Sequence, residues 1–232
     1  MNYSNLSGTS ILRVDTTDDV SSTSCLEKHL KKESKENNMS LCVGLITDDS
    51  IYLACDSRET RTYQDHNGFL DDYHKISIIP GTNIAVMISG SIRFNDKSLT
   101  DVVESMTSRN VSDATYEFKE ITGPAKTDLI VAGFPFSEEE QNIGIYQYDS
   151  FWIPKKQNKV IPYLFSSGVD YANKAVNFFN EQHFTIAGSP ESFINVFFDG
   201  IIKLSSLCDN TVHGPVRILK ISRSGGCEWI QR

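Results

Sequence analysis

The sequence lacks an excess of positive charge and any long apolar run. Its 232 residues include 22 Lys and Arg against 30 Asp and Glu, which gives a net charge of −8. A nucleic-acid-binding protein needs a basic face, so the acidic balance argues against that class and against a nucleic-acid partner. Because no run reaches eighteen apolar residues, a membrane-spanning helix and a membrane partner are not expected either.

Cysteine is also scarce, and its spacing excludes two further classes. The five cysteines (Cys25, Cys42, Cys55, Cys208 and Cys227) contain no CxxC pair, which excludes a zinc ribbon and disfavours a disulfide framework. This usage is typical of a reducing cytoplasm, and the N-terminus has no basic start followed by an apolar stretch. A cytoplasmic location is therefore predicted.

The first 39 residues differ in composition from the rest. They hold 11 apolar residues and 11 Ser or Thr, and they end in the polar run 31–38. Such a segment buries too little apolar surface to offset the entropy lost on ordering. We therefore predict that 1–39 is a disordered extension and that 40–232 is one folded domain.

From Ser40 onward the pattern changes to short strands. Leu41–Ile46 and Ile51–Cys55 flank the turn signal Asp48-Asp49-Ser50 and predict a β-hairpin, followed by a polar loop over 59–73. Further strands are predicted at 75–79, 84–89, 128–133, 143–148, 162–166, 216–221 and 228–230, with helices at 97–108, 169–180 and 190–207. Paired strands and successive apolar helices indicate an α+β fold, and we expect a four-layer αββα sandwich of two antiparallel sheets flanked by helices.

The hairpin and the polar residues at its end resemble the N-terminus of mature proteasome β-type subunits. That family has Thr, an apolar strand containing Gly, a turn, a second apolar strand and then Asp-Ser-Arg. Here the same order reads Ser40, Leu41–Ile46, Ile51–Cys55 and Asp56-Ser57-Arg58. The resemblance places Ser40 on the catalytic N-terminal Thr of the family, Asp56 on its active-site Asp and Arg58 on its Arg.

Further segments are similar to the family in the same order. They are Lys75-Ile76 (the strand with the active-site Lys), Ile88-Ser89-Gly90-Ser91 (the oxyanion-hole turn), Ser166-Ser167-Gly168 with Tyr171-Ala172 (the start of the next helix) and 208–216 (the loop containing Asp209). Lys75 comes a few residues later than usual, and Val212 and His213 stand where the family has Ser and Gly. The similarity covers roughly 40–232 and is closest to bacterial proteasome-like members of the N-terminal nucleophile (Ntn) hydrolase superfamily.

The resemblance implies a hydrolase that cleaves amide bonds in peptides or unfolded protein. A Ser hydroxyl needs a base to take its proton, and a free α-amine, with a pKa of about 8, can serve as that base. Lys75 would then lower the pKa of the hydroxyl, and Asp56 would orient Lys75. The resemblance also implies a homo-oligomeric ring or helical assembly and no metal or cofactor; an ATPase partner is left open. The candidate catalytic residues are Ser40, Asp56, Arg58, Lys75, Gly90, Ser167 and Asp209.

Other interpretations of the same residues remain open. One is a non-catalytic, ring-forming scaffold subunit of the same fold, as α-type proteasome subunits are; another is an amidase for small molecules. The structural alternatives are a strand-entry serine at Ser40, a turn with a surface ion pair at Asp56 and Arg58, a solvated lysine at Lys75 and helix caps at Ser167 and Asp209. Cys42 is expected to be a buried apolar thiol.

The nucleophile hypothesis requires that Ser40 become a chain terminus. Residues 1–39 would be a self-cleaved propeptide, although Met39 stands where the family has Gly, or Met39 would be the true start. Lys35-Glu36 can be encoded as AAG-GAG, a bacterial ribosome-binding sequence, which favours the second route. We predict that mass spectrometry of the native protein finds a mature N-terminus at Ser40; any other mature N-terminus would contradict the mechanism.

Overall fold

The computed structural model describes most of the chain from Ser40 onward. The described residues are 40–62, 67–90, 93–94, 96–123, 127–134, 143–147, 150–152, 163–168, 170–181, 186, 188–208 and 210–231. The predicted disordered extension at 1–39 and Asp209 lie outside them.

The described residues form short strands, four helices and the segments that connect them. The strands are β1 (Leu41–Ile46), β2 (Ser50–Cys55), β3 (Glu59–Thr62), β4 (Asn67–Leu70), β5 (Ile76–Ile78), β6 (Ile84–Gly90), β7 (Arg93–Phe94), β8 (Lys97–Ser98), β9 (Thr127–Gly133), β10 (Ile143–Gln147), β11 (Ser150–Trp152), β12 (Tyr163–Gly168), β13 (Arg217–Ser222) and β14 (Gly226–Gln231). The helices are α1 (Leu99–Glu104), α2 (Val111–Thr122), α3 (Asp170–Glu181) and α4 (Pro190–Cys208). Within the described ranges, none of these helices is both long and apolar enough to cross a membrane.

The strands pair into two antiparallel sheets of five strands each. The first sheet has the order β12-β1-β2-β13-β14 and the second has the order β11-β10-β9-β6-β5. Two small ribbons, β3–β4 and β7–β8, accompany them. The predicted β1–β2 hairpin is confirmed, with Cys42 opposite Cys55 and Ile46 opposite Ile51. The predicted α+β class with two antiparallel sheets is confirmed as well.

Alternate residues along each strand enter different apolar clusters, because successive side chains of a strand point to opposite faces. Cys42 and Leu53 of the first sheet pack with Met87 and Ile130 of the second, and we call this group the inter-sheet cluster. The other face of the first sheet, which includes Val43, packs against α3 and α4. The other face of the second sheet packs against α1 and α2. Helices α3 and α4 therefore pack on the same face of the first sheet.

The predicted polar loop over 59–73 is wrong, because it contains the β3–β4 ribbon. The Phe69 ring of β4 lies under the guanidinium of Arg58, with 4.5 Å between the ring centroid and the Arg58 Cζ. The amide of Tyr73 donates to the carbonyl of Ser57 at 2.9 Å, which ties the end of the ribbon back to its start. A hairpin therefore lies between Asp56 and Lys75.

Two helices also differ from the sequence prediction. The expected helix over 97–108 begins only at Leu99, because Ser98 and Asp101 form a capping box, and it ends at Glu104. The sequence predicts no element between 108 and 128, but this segment contains α2, whose N-cap Asn110 accepts from the amide of Asp113. The buried face of α2 includes Ala114 and Phe118, which lie four residues apart as an amphipathic helix requires.

The inter-sheet cluster should dominate the stability of the domain. We predict that Leu53→Ala lowers the free energy of unfolding by about 2–5 kcal/mol, because it removes fully buried methyl groups between two sheets. The matched control is Leu207→Ala on α4, where the side chain is 70% exposed and the expected change stays within about 0.5 kcal/mol. Urea unfolding of both variants tests this; equal losses would contradict the assigned packing.

Candidate active site

A buried ion pair joins the end of one strand to the start of another. Asp56 follows β2 and Lys75 precedes β5, and the Lys75 Nζ lies 2.8 Å from the Asp56 Oδ1. Both side chains are 0% exposed, so the interpretation of Lys75 as a solvated lysine is wrong. Burial raises the pKa of the Asp56 carboxyl, while the ammonium of Lys75 acts in the opposite direction. A fully buried charge is stable only beside an opposite charge, so Asp56 and Lys75 depend on each other.

Asp56 also binds the backbone at the start of β1. Its Oδ1 accepts from the amide of Leu41 at 2.8 Å, and its own amide donates to the carbonyl of Leu41 at 3.2 Å. The Leu41 amide belongs to the peptide unit that joins Ser40 to Leu41, and Ser40 is itself buried. The structure thus brings Ser40, Asp56 and Lys75 to one end of the hairpin.

The C-terminal end of β6 also lies at this end of the hairpin. The amide of Ile88 donates to the carbonyl of Lys75 at 3.0 Å, and the carbonyl of Ile88 accepts from the Cys42 thiol at 3.1 Å. Gly90, two residues further along β6, has φ 96, a conformation that glycine adopts without strain. Cys42 is fully buried as expected, and burial raises the pKa of its thiol.

The Arg58 side chain turns away from the ion pair. Its amide donates to the Asp56 Oδ2 at 3.1 Å, but its guanidinium binds both carboxylate oxygens of Asp71, at 2.5 and 2.6 Å. A third donor, Nη1, reaches the carbonyl of Asn210 at 2.8 Å. The hydrogen bond from Arg58 lowers the pKa of the Asp71 carboxyl. The Arg58 side chain is only 8% exposed, so a simple surface ion pair does not describe it.

The two remaining sequence candidates lie on the first sheet and the loop before β13. Ser167 is a residue of β12, not the cap of α3, and it stands opposite Cys42 in the strand register. Gly168 stands opposite Leu41, which puts this end of β12 beside the start of β1. Asp209 lies outside the described residues, but Asn210, which follows it, binds Arg58 as given above. The strand pairing therefore places the backbone of Ser167 beside β1, close to Ser40.

Sequence reasoning missed the acidic pair Asp71 and Asp72. Asp71 binds Arg58 and has its Oδ2 3.4 Å from the His213 Nδ1, while Asp72 forms an ion pair with Arg217. The only signal in the sequence was two adjacent acids shortly before Lys75. Their partners come from distant segments, so spacing along the chain does not reveal them.

The comparisons with known proteins add no family to this geometry. No protein-family model matches the chain, and no curated protein is significantly similar to it in sequence. In the part of the chain that the structure describes, no group of three or more His, Cys, Asp or Glu side chains is placed to hold a metal ion. The catalytic roles given to the seven candidate residues therefore stay predictions.

The ion pair allows a stability test. We predict that Lys75→Met lowers the free energy of unfolding by about 3–5 kcal/mol, because it leaves the buried Asp56 carboxylate unpaired. The folded variant then holds a proton on Asp56 that the unfolded chain releases above a pKa of about 3.9. Its stability should therefore fall as the pH rises from 5 to 8, and more steeply than that of the wild type.

The matched control is Lys97→Met, since Lys97 is exposed. Its effect should stay within about 0.5 kcal/mol at each pH. Urea unfolding at several pH values makes the measurement. Similar losses in the two variants, or a loss for Lys75→Met that does not depend on pH, would contradict the described pairing.

Proposed function

We propose that the chain is a proteasome-like Ntn hydrolase that cleaves amide bonds in peptides or unfolded protein, with Ser40 as its N-terminal nucleophile. The observation that supports this most is the fully buried Lys75–Asp56 pair, which is bonded through the Leu41 amide to the start of β1. A serine with only a structural role at the start of the strand would not need a buried ammonium on the carboxylate that holds the next amide. The resemblance of Ser40, Asp56 and Lys75 to the nucleophile, Asp and Lys of the family is the second support.

The proposed reaction uses two groups of one residue. The free α-amine of Ser40 takes the proton of its hydroxyl, and the hydroxyl oxygen attacks the carbonyl carbon of the scissile amide. The tetrahedral oxyanion accepts a hydrogen bond from the Gly90 amide. The C–N bond then breaks, the leaving amine takes the proton, and an acyl ester remains on Ser40. Water, deprotonated by the same α-amine, hydrolyses that ester and restores the hydroxyl.

Lys75 and Asp56 have electrostatic roles in this scheme. The ammonium favours the alkoxide that develops on Ser40, and Asp56 keeps that ammonium charged and directed. Burial strengthens both effects, because a charge acts more strongly in a site from which water is excluded. The Arg58 amide, bound to the Asp56 Oδ2, fixes the carboxylate in turn.

Fold and assembly belong to the same proposal. The inter-sheet cluster and the two clusters between sheet and helix support a layer order of helix, sheet, sheet, helix, the αββα sandwich of Ntn hydrolases. The resemblance further implies a homo-oligomeric ring or helical assembly that encloses the sites. Native mass spectrometry of the purified protein tests the assembly, and a monomer would contradict it.

Hydrolysis of fluorogenic peptides tests the function. Purified protein should hydrolyse members of a peptide panel in proportion to the fraction of chains that begin at Ser40, as determined on the same sample. Ser40→Ala removes the hydroxyl and should abolish hydrolysis, because no other group in the scheme forms the acyl ester. The matched control, Ser112→Ala on an exposed position of α2, should keep the wild-type rate.

Two results would overturn the proposal. Activity that survives Ser40→Ala would mean that another residue is the nucleophile. A protein whose chains begin at Ser40 and that hydrolyses no peptide would favour the non-catalytic scaffold. Hydrolysis of small amides without hydrolysis of peptides would keep the mechanism and change the substrate class to that of an amidase.

A further inference from the structure

We propose that Asp71 is a positioning residue for this reaction, acting through Arg58 on the Lys75–Asp56 pair. The inference rests on the proposed function. Asp71 directly follows the β3–β4 ribbon, in a segment that the family resemblance does not assign to the site. It neither bonds to Asp56 nor belongs to the hairpin, so its influence must pass through the residue that it holds.

The first observation is the dependence of Arg58 on Asp71. The Arg58 side chain is 8% exposed and that of Asp71 is 37% exposed, so a nearly buried guanidinium is paired with a carboxylate that reaches solvent. Two parallel hydrogen bonds, at 2.5 and 2.6 Å, fix the plane of the guanidinium. In the contacts described for it, the Arg58 guanidinium has two other partners, which are the Phe69 ring and the backbone carbonyl of Asn210. Asp71 therefore supplies the counter-charge that a buried arginine requires.

The second observation is that three separate segments meet at Asp71. Its carboxylate binds Arg58 and lies 3.4 Å from the His213 Nδ1, and its carbonyl accepts from the Ser57 hydroxyl at 3.4 Å. Gly214 has φ 82, and a Cβ there would lie 2.5 Å from the Ser57 Oγ, so the 210–214 loop packs closely against this junction. The turn after β2, the end of β4 and the loop before β13 are thus joined at one carboxylate.

The chain of contacts from Asp71 to the ion pair is short. Arg58, held at its side chain by Asp71, donates its amide to the Asp56 Oδ2, and the Asp56 Oδ1 binds Lys75. Loss of the Asp71 charge frees the guanidinium to turn toward solvent and to leave the Asn210 carbonyl. The backbone at Arg58 then gains freedom, and the Asp56 carboxylate loses its fixed orientation toward Lys75.

Kinetics of matched variants tests the role. Asp71→Asn keeps the shape and removes the charge; we expect kcat to fall about 10–100-fold with KM changed less than about threefold, because a misplaced catalytic group slows chemistry without weakening substrate binding. Asp71→Glu keeps the charge on a longer stem and should lose about 3–10-fold in kcat. Asp199→Asn, the same substitution at an exposed position of α4, is the control and should keep the wild-type kcat.

A spectroscopic signal separates positioning from general stability. The Nε–H resonance of Arg58 in ¹H–¹⁵N spectra should be protected from exchange in the wild type and in Asp199→Asn, and should lose that protection in Asp71→Asn. Wild-type kcat in Asp71→Asn, or equal losses in Asp71→Asn and Asp199→Asn, would overturn the role. If Asp71→Asn does not fold, Asp71→Glu decides, and a wild-type kcat in that variant overturns it. A wild type without Ser40-dependent hydrolysis overturns the proposed function instead, and the protection of Arg58 would then report only a structural contact.

Discussion

The contact between Lys75 and Asp56 is the interaction on which the other features of the site depend. Asp56 follows a strand of the first sheet and Lys75 precedes a strand of the second, so the ion pair bridges the two sheets where no water reaches it. Neither charge would be stable there alone. The amides of Leu41 and Arg58 complete the shell of the carboxylate, which fixes the start of β1 relative to the end of β2.

Apolar packing gives this pair its surroundings. The inter-sheet cluster includes Cys42 and Cys55, which stand opposite each other in the hairpin, and Cys55 directly precedes Asp56. Desolvation raises the pKa of the Cys55 thiol to about 12, which reflects how dry this region is. In such surroundings charges are weakly screened. The same burial that stabilises the domain therefore strengthens the field that the proposed nucleophile would feel.

The sequence predicted the parts of the structure that depend on neighbours along the chain. The β1–β2 hairpin follows from two apolar runs and a turn, and the pairing of Asp56 with Lys75 was expected from the family resemblance. The β3–β4 ribbon escaped prediction because β3 is polar and because Phe69 of β4 contacts Arg58, a residue outside the ribbon. Helix α2 escaped because few apolar residues mark its buried face. Asp71 could not be found, since its bond to Arg58 exists only once the ribbon folds back.

The central claim is that Ser40 is the nucleophile of a site organised by Lys75 and Asp56. An electrophilic peptide, such as a peptide vinyl sulfone, tests it most directly when the modified residue is located by peptide mapping. The account predicts one adduct per chain, on Ser40, with labelling lost in Lys75→Met molecules that remain folded. An adduct on another residue, or labelling of Ser40 at an unchanged rate without Lys75, would contradict it.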